Sequence, residues 1–306
     1  MTLFYLPIMA DLLGIFIMKW LLISLFTFAS FQVIAYDKKI TIRPKVIYGI
    51  DNREEVFESS DNLMKDLSRS TAAQILNGYL VKEGDVYKLN ARTMQALGIC
   101  SSERFSGQPT AGNCSGFLIS DELLVTAGHC VTSDSDCEYS SWVFDYANYN
   151  SENNDFTFSK DQIFKCTKVI SREKNSTDQN DYAVVKLDRP VKGRTPMKIR
   201  TIGKVADDAV LTVIGFPTGL PMKITPGADM RDNSNPIFFR TNADTFGGNS
   251  GAPVIDSRTG IVEGILVRGD QDYIKDEKLG CMVPVVRDIN AGRGEDCTRI
   301  TNIKIK

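Results

Sequence analysis

From Cys100 onward the chain is written in short apolar runs cut repeatedly by Gly, Pro, Asn and Asp. This punctuation limits its fold more than any other feature. SGFLIS and LLVTAG are joined by Asp-Glu, and DYAVVKL, AVLTVIGF, PIFFRTN, GIVEGILVRG and GCMVPVV follow. Runs of this length, rich in β-branched residues and separated by turn residues, are strands, and they leave no room for the helical crossovers of a parallel sheet. The expected class is all-β, a barrel or a sandwich. A chain of 306 residues holds one large domain or two small ones, and either buries a sizeable core.

The ends of the chain are different. Residues 1–35 are apolar almost throughout, broken by Asp11 and Lys19. From Met18 the stretch has the layout of a signal peptide: a lysine, an apolar core, and a small-residue cleavage site at Val33-Ile34-Ala35. Export with cleavage is expected, to the outside or the periplasm; the alternative is an uncleaved membrane anchor. Residues 36–99 form a second region, a propeptide or an extension packed on the main domain of 100–306. There KVIYGIDNREEVFE begins as a strand, and SDNLMKDLSRSTAAQIL predicts a helix capped by Ser60 with Leu63, Leu67 and Ile75 on one face. Thr71 is the weak position in that row.

Net charge is −2 with no block of one sign, so nothing points to nucleic acid. Seven cysteines suit an oxidising compartment. None forms a CxxC pair, and a chain with one histidine is poorly equipped for zinc. No metal and no cofactor is implied.

That one histidine, His129, ends an apolar strand in LLVTAGHC. Alone it reads as a structural residue. Cys114 and Cys130 bracket the hairpin that carries it, and a bridge between them would lock the histidine loop to the neighbouring strand, worth about 3 kcal/mol. Downstream lie DYAVVKLD at 181–188 and GGNSGAPV at 247–254. A serine hydroxyl becomes a nucleophile when a base takes its proton, neutral imidazole suits that task near pH 7, and a carboxylate must hold the imidazole in one tautomer.

Together these three motifs resemble the trypsin/chymotrypsin-fold serine peptidases, in particular the bacterial branch with the V8-type glutamyl endopeptidases. The resemblance covers roughly residues 100–290, and KVIYGIDNR looks like the N-terminal segment of that branch. It implies two antiparallel six-stranded β-barrels with the active site between them, and protein or peptide substrates. It also implies His129 as base and acid, Asp181 as its orienter, Ser250 as nucleophile, and the amides of Gly248 and Ser250 as oxyanion hole. Asp188 competes with Asp181, but it follows the strand and precedes Arg-Pro, which reads as a surface turn. The GxSxG elbow of α/β-hydrolases is not met, because Ala252 stands fifth and Pro253-Val254 follow.

The departures bear on activation and specificity. Asn249 stands where the animal digestive enzymes carry an aspartate that pairs with a new N-terminal amine, so that charge switch is expected to be absent. Asp244 matches the pocket-floor aspartate of trypsin-like members and points to cleavage after Lys or Arg. Glutamate specificity is the branch alternative, with Thr245 in the pocket wall; Leu266 then stands where those enzymes read the carboxylate with a histidine, and Arg268 is left as the cation. An apolar preference, or a noncatalytic secreted binding protein on the same fold, are the other readings. Gly269 matches the backbone that pairs with the substrate strand. Cys137 pairs with Cys166 by position, Cys100 with Cys281 or Cys297, and a monomer is expected. Of the two sequons, NST at 175–177 and NCS at 113–115, the second adjoins the expected bridge.

Overall fold

Two curled antiparallel sheets carry the fold in the computed structural model, which describes residues 47–305. The expected export signal and its cleavage site lie outside the described residues. Short strands β1 (Ile47–Tyr48) and β2 (Glu54–Glu55) precede a helix, α1 (Asn62–Ser68). Strands β3 (Thr71–Leu76), β4 (Leu80–Glu83), β5 (Val86–Leu89), β6 (Gly112–Leu118) and β7 (Leu123–Thr126) follow. A single helical turn, α2 (Asp136–Tyr139), leads into β8 (Ser140–Phe144), β9 (Thr157–Ser159), β10 (Ile163–Phe164), β11 (Cys166–Lys174) and β12 (Asp181–Leu187). The first sheet runs β10-β8-β3-β6-β7-β12-β11, while β4, β5 and β9 form a small sheet beside it.

The second half contains β13 (Val210–Gly215), β14 (Lys223–Asp232), β15 (Phe238–Thr241), β16 (Pro253–Asp256) and β17 (Val262–Arg268). A hairpin of β18 (Tyr273–Asp276) and β19 (Cys281–Pro284), then β20 (Val286–Arg287) and β21 (Glu295–Arg299), complete it. Here the order is β13-β16-β17-β21-β15-β14, and β13 also pairs with β14, which closes six strands into a barrel. The fold is thus the all-β double barrel expected, its first half a curled sheet and its second closed.

Alternation places the core. Leu124, Trp142, Phe144 and Val185 fill the first sheet, and Leu211, Val213, Phe239 and Val254 fill the barrel. A third cluster joins the halves, with Tyr146 of the first stacked on Phe216 of the second at 5.9 Å between ring centroids. Three disulfides brace the fold: Cys114–Cys130, Cys137–Cys166 and Cys100–Cys281, leaving Cys297 as a buried free thiol.

One expectation is corrected here. The helix of the N-terminal region stops at Ser68 and is capped by Asp61, whose carboxylate accepts the Met64 amide at 3.1 Å. Residues 71–76 are strand, because their small and β-branched side chains (Thr71, Ala72, Ala73 and Ile75, all buried) fit between β6 and β8, where tertiary pairing overrides the helical period. The described part of the N-terminal region packs on the rest of the fold, as the extension alternative has it. β3 lies inside the first sheet, β1 pairs in parallel with β20, and β2 pairs with β14, so residues 47–99 are woven into the domain.

Candidate active site

β7 and β12 are antiparallel neighbours, with Thr126 opposite Ala183. Moving out of β7 to His129 and back along β12 to Asp181 therefore advances in the same direction, and the two residues meet at the sheet's end. The His129 amide donates to Asp181 Oδ1 at 3.1 Å, and His129 Nδ1 lies 2.9 Å from Asp181 Oδ2. A carboxylate only accepts, so the Nδ1 position carries the proton and the Nε2 lone pair faces away from Asp181. Asp181 is buried and the imidazole is partly exposed. Arg172 Nε donates to Gly128 O at 2.7 Å, which steadies the histidine loop from β11. Asp188 sits elsewhere, in an ion pair with its neighbour Arg189.

Cys114, Cys130 and His129 have their ligand-type atoms within 4.8 Å of one another. Both sulfurs are committed to the disulfide, so no thiolate is available to a metal.

The turn bearing Ser250 is clasped from both halves of the fold. Ser250 O accepts the Ser115 amide of β6 at 2.8 Å and lies 3.6 Å from Cys130 Sγ. On the other side the Gly251 amide donates to Leu266 O of β17 at 2.7 Å. Ser115 Oγ donates to Gly248 O at 2.8 Å. Gly248 has φ +94°, and a Cβ there would stand 2.3 Å from Phe216 O, so only glycine fits. The amides used in the turn's internal bonds are Asn249 N–H, to Phe246 O at 3.0 Å, and Ala252 N–H, to Asn249 O at 2.8 Å. They leave those of Gly248 and Ser250 out of the turn's own pairing. Asn249 is buried, and its Oδ1 has no hydrogen-bond partner among the described residues.

Beside Ser250 opens a narrow cleft of about 140 Å³. Thr245, Leu266, Arg268 and Gly269 line it, as does a pair of acids that sequence reasoning missed, Asp272 and Glu295. Asp272 Oδ2 accepts the Gly247 amide at 2.7 Å, and burial pushes its pKa up. Glu295, at the start of β21, is 3% exposed. Its Oε2 accepts the Thr245 hydroxyl at 2.7 Å, and burial raises its pKa to about 8. Gly269 makes room for that carboxylate, since a Cβ there would lie 2.0 Å from Glu295 Oε2. Arg268 has its guanidinium drawn aside, with Nε 3.3 Å from Asp296 Oδ2, Nη1 3.0 Å from Gln179 O, and Nη1 3.9 Å from Asp181 Oδ2.

Asp244 is the residue whose place differs from expectation. It does not line the cleft; its Oδ1 accepts the Tyr48 amide at 2.6 Å and its Oδ2 the Asn52 amide at 3.2 Å. The carboxylate is turned toward the N-terminal segment because two backbone donors there need an acceptor, and burial raises its pKa to about 6. Spacing from Ser250 suggested the pocket floor, whereas Glu295 arrives at the cleft from the far end of the chain. One signal was available in the sequence, an acid at the first residue of the last strand.

Residues 114–265, which hold His129, Asp181 and Ser250, match the family described as a trypsin-like peptidase domain. No curated protein sequence matches the chain. Among solved structures, a Glu endopeptidase in complex with MPD is 17% identical with a TM-score of 0.47, the match covering 84% of this chain and 94% of that one. The Rv3671c protein from M. tuberculosis H37Rv, as a serine-to-alanine variant in an inactive form, is 15% identical with a TM-score of 0.42, over 79% of this chain and 86% of that one. Residues 114–265 therefore form a trypsin-like peptidase domain within an all-β double-barrel fold.

Proposed function

We propose that this protein is an exported serine endopeptidase that hydrolyses peptide bonds through an acyl-enzyme, with a preference for Lys or Arg before the cleaved bond. The observation that carries the reading is the 2.9 Å contact of His129 Nδ1 with Asp181, made on the sheet whose β6 also grips the Ser250 turn. In this reading His129 Nε2 takes the Ser250 Oγ proton as Oγ attacks the carbonyl carbon, and Asp181 stabilises the imidazolium that forms. The amides of Gly248 and Ser250 donate to the oxyanion; one such donor is typically worth about 3–4 kcal/mol. As the C–N bond breaks, His129 returns the proton to the leaving amine. It then activates water, which releases the acyl group and restores Ser250.

Gly269 would pair its backbone with the substrate strand and direct the side chain before the scissile bond into the cleft beside Ser250. The carboxylates of that cleft support the basic preference. Three disulfides support export to an oxidising compartment, because such bonds do not persist in a reducing cytosol. The substrates are proteins or peptides and the working form a monomer.

Purified protein treated with a fluorophosphonate probe, with Ser250→Ala beside it, tests the reading. Labelling of the parent and none of the variant is expected. Equal labelling of both, or of neither by folded protein, would overturn it.

A further inference from the structure

Most buried acids among the described residues come with cations, and Asp244 instead holds two backbone amides at 2.6 and 3.2 Å. Glu55 has Lys223 at 2.9 Å, Glu263 has Arg200, and Asp296 has Arg240 at 2.9 Å with Arg268 and Arg293 beside it. Glu295 has neither a cation nor a close pair of backbone amides. It is as buried as these, yet among the described residues no cationic side chain lies within ion-pair distance of it. The two guanidiniums near enough to serve, Arg268 and Arg293, are both bound to Asp296.

The contacts Glu295 does make leave it room. Oε2 takes the Thr245 hydroxyl at 2.7 Å, while Oε1 has only two long approaches, from the Tyr48 hydroxyl and the Asp270 amide, each at 3.4 Å. An ionised carboxylate has about four acceptor positions, so at least one is left without a strong donor on a side chain that lines the cleft. Asp272 stands nearer the cleft's mouth, also without an ion-pair partner among the described residues. The cleft therefore holds two acids with no ion-pair partner among the described residues, next to the serine at which a substrate would be cut.

We infer that Glu295, and not Asp244, is the residue that selects Lys or Arg before the scissile bond, with Asp272 guiding the cation in. This rests on the endopeptidase reading above and names the side chain that gives it its specificity. A Lys ammonium or Arg guanidinium entering past Gly269 would meet Oε1 of Glu295 and supply the missing counter-charge in a site of low dielectric, where a charge-assisted bond is strong. A glutamate substrate would instead bring a third carboxylate into the same cleft, and Arg268, drawn toward Asp296 and Gln179, does not answer it. The raised pKa of Glu295 has the same origin: burial and the nearby Asp272 charge disfavour the ionised form, Arg293 only partly opposes them, and a bound cation would reverse the balance.

The test has two arms. In the first, Glu295→Gln is compared with the parent on peptide substrates that differ only in Lys, Arg, Leu or Glu before the cleaved bond. The ratio of kcat/KM for Lys or Arg to that for Leu is expected to fall on the order of 100-fold, the usual result of removing one partner of a buried charge pair. An unchanged ratio, or a parent that prefers Glu, overturns the inference while leaving the endopeptidase reading intact. A folded parent that neither labels nor cleaves removes the endopeptidase reading. In the second arm n-butylguanidine is titrated calorimetrically into the Ser250→Ala protein, near pH 7, in buffers of different ionisation heat. Glu295 is the group that must give up a proton there; Asp272, Asp270, the Tyr48 hydroxyl, Arg268 and Arg293 are the other groups around it. Binding with proton release supports the inference, and no binding, or binding without release, refutes it even where Glu295→Gln does not fold.

Discussion

Asp244→Asn isolates what a buried, unpaired charge costs this fold. The carboxylate is 1% exposed and holds two backbone amides, yet its pKa stands at about 6 against an ordinary 3.8. Folding thus raises the pKa, so the folded chain keeps the proton to about pH 6 while the unfolded chain loses it near 3.8. The stability this group contributes is fully present below the unfolded value and is lost as pH rises through the folded one. A shift of that size corresponds to about 3 kcal/mol. Asparagine has nearly the same shape and one acceptor oxygen for Tyr48, but no charge. Its amide faces the Asn52 N–H, so the variant is expected to be less stable than the parent at low pH. That deficit should shrink, or reverse, by about 2.4 kcal/mol between pH 4 and pH 7.5. Acids whose pKa values burial or partners shift elsewhere, such as Asp145 and Asp270, affect both proteins and cancel. Urea unfolding of both chains in a Ser250→Ala background, disulfides intact, reads the difference directly. A deficit that is equal at the two pH values, or grows toward neutral pH, would refute the reasoning, because it would mean that Asp244 is stabilised as an anion.

Asp181→Asn is expected to lower kcat by about 10⁴-fold with KM little changed, since the amide still holds the ring but favours the wrong tautomer; single-turnover kinetics on a peptide ester check it. Replacing Cys100 and Cys281 by Ser opens a bridge with a sequence separation of 181, and the loop-entropy relation puts its loss at roughly 5 kcal/mol. Calorimetric melting under oxidising conditions measures it. A chain starting at residue 77 lacks β3 from between β6 and β8 and is not expected to give dispersed amide signals by NMR, whereas one starting at residue 43 is. Lys223→Met leaves Glu55 buried without its 2.9 Å partner at a cost of about 3–5 kcal/mol, and adding Glu55→Leu should restore much of it. The denaturation midpoints of the two variants decide the point.

The strands and the His129–Asp181 contact were legible because each is encoded locally. LLVT and DYAVVKL are short apolar runs bounded by turn residues, and a histidine and an aspartate at the ends of adjacent strands have one natural meeting place. The cysteine bracket of the histidine loop was legible for the same reason. What escaped depended on partners far along the chain. TAAQIL has the spacing of a helix face, and only β6 and β8 make it a strand. Asp244 has the right distance from Ser250 for a pocket floor, but two amides from residues 48 and 52 claim it. Glu295 stands 45 positions beyond Ser250 by their numbers, and β21 brings it alongside β17 only when the barrel closes.

That closure governs timing as well as shape. The cleft beside Ser250 is walled by Glu295 from the last strand, which in turn touches Tyr48 from the first, and β1 is held by β20. A polypeptide emerging from a ribosome or a translocation channel holds its histidine and aspartate long before it has a second wall for the cleft. Contacts that span so much of the sequence form late and slowly. Completion of the cleft therefore waits on the strand that carries Glu295, after the histidine and aspartate already have their places.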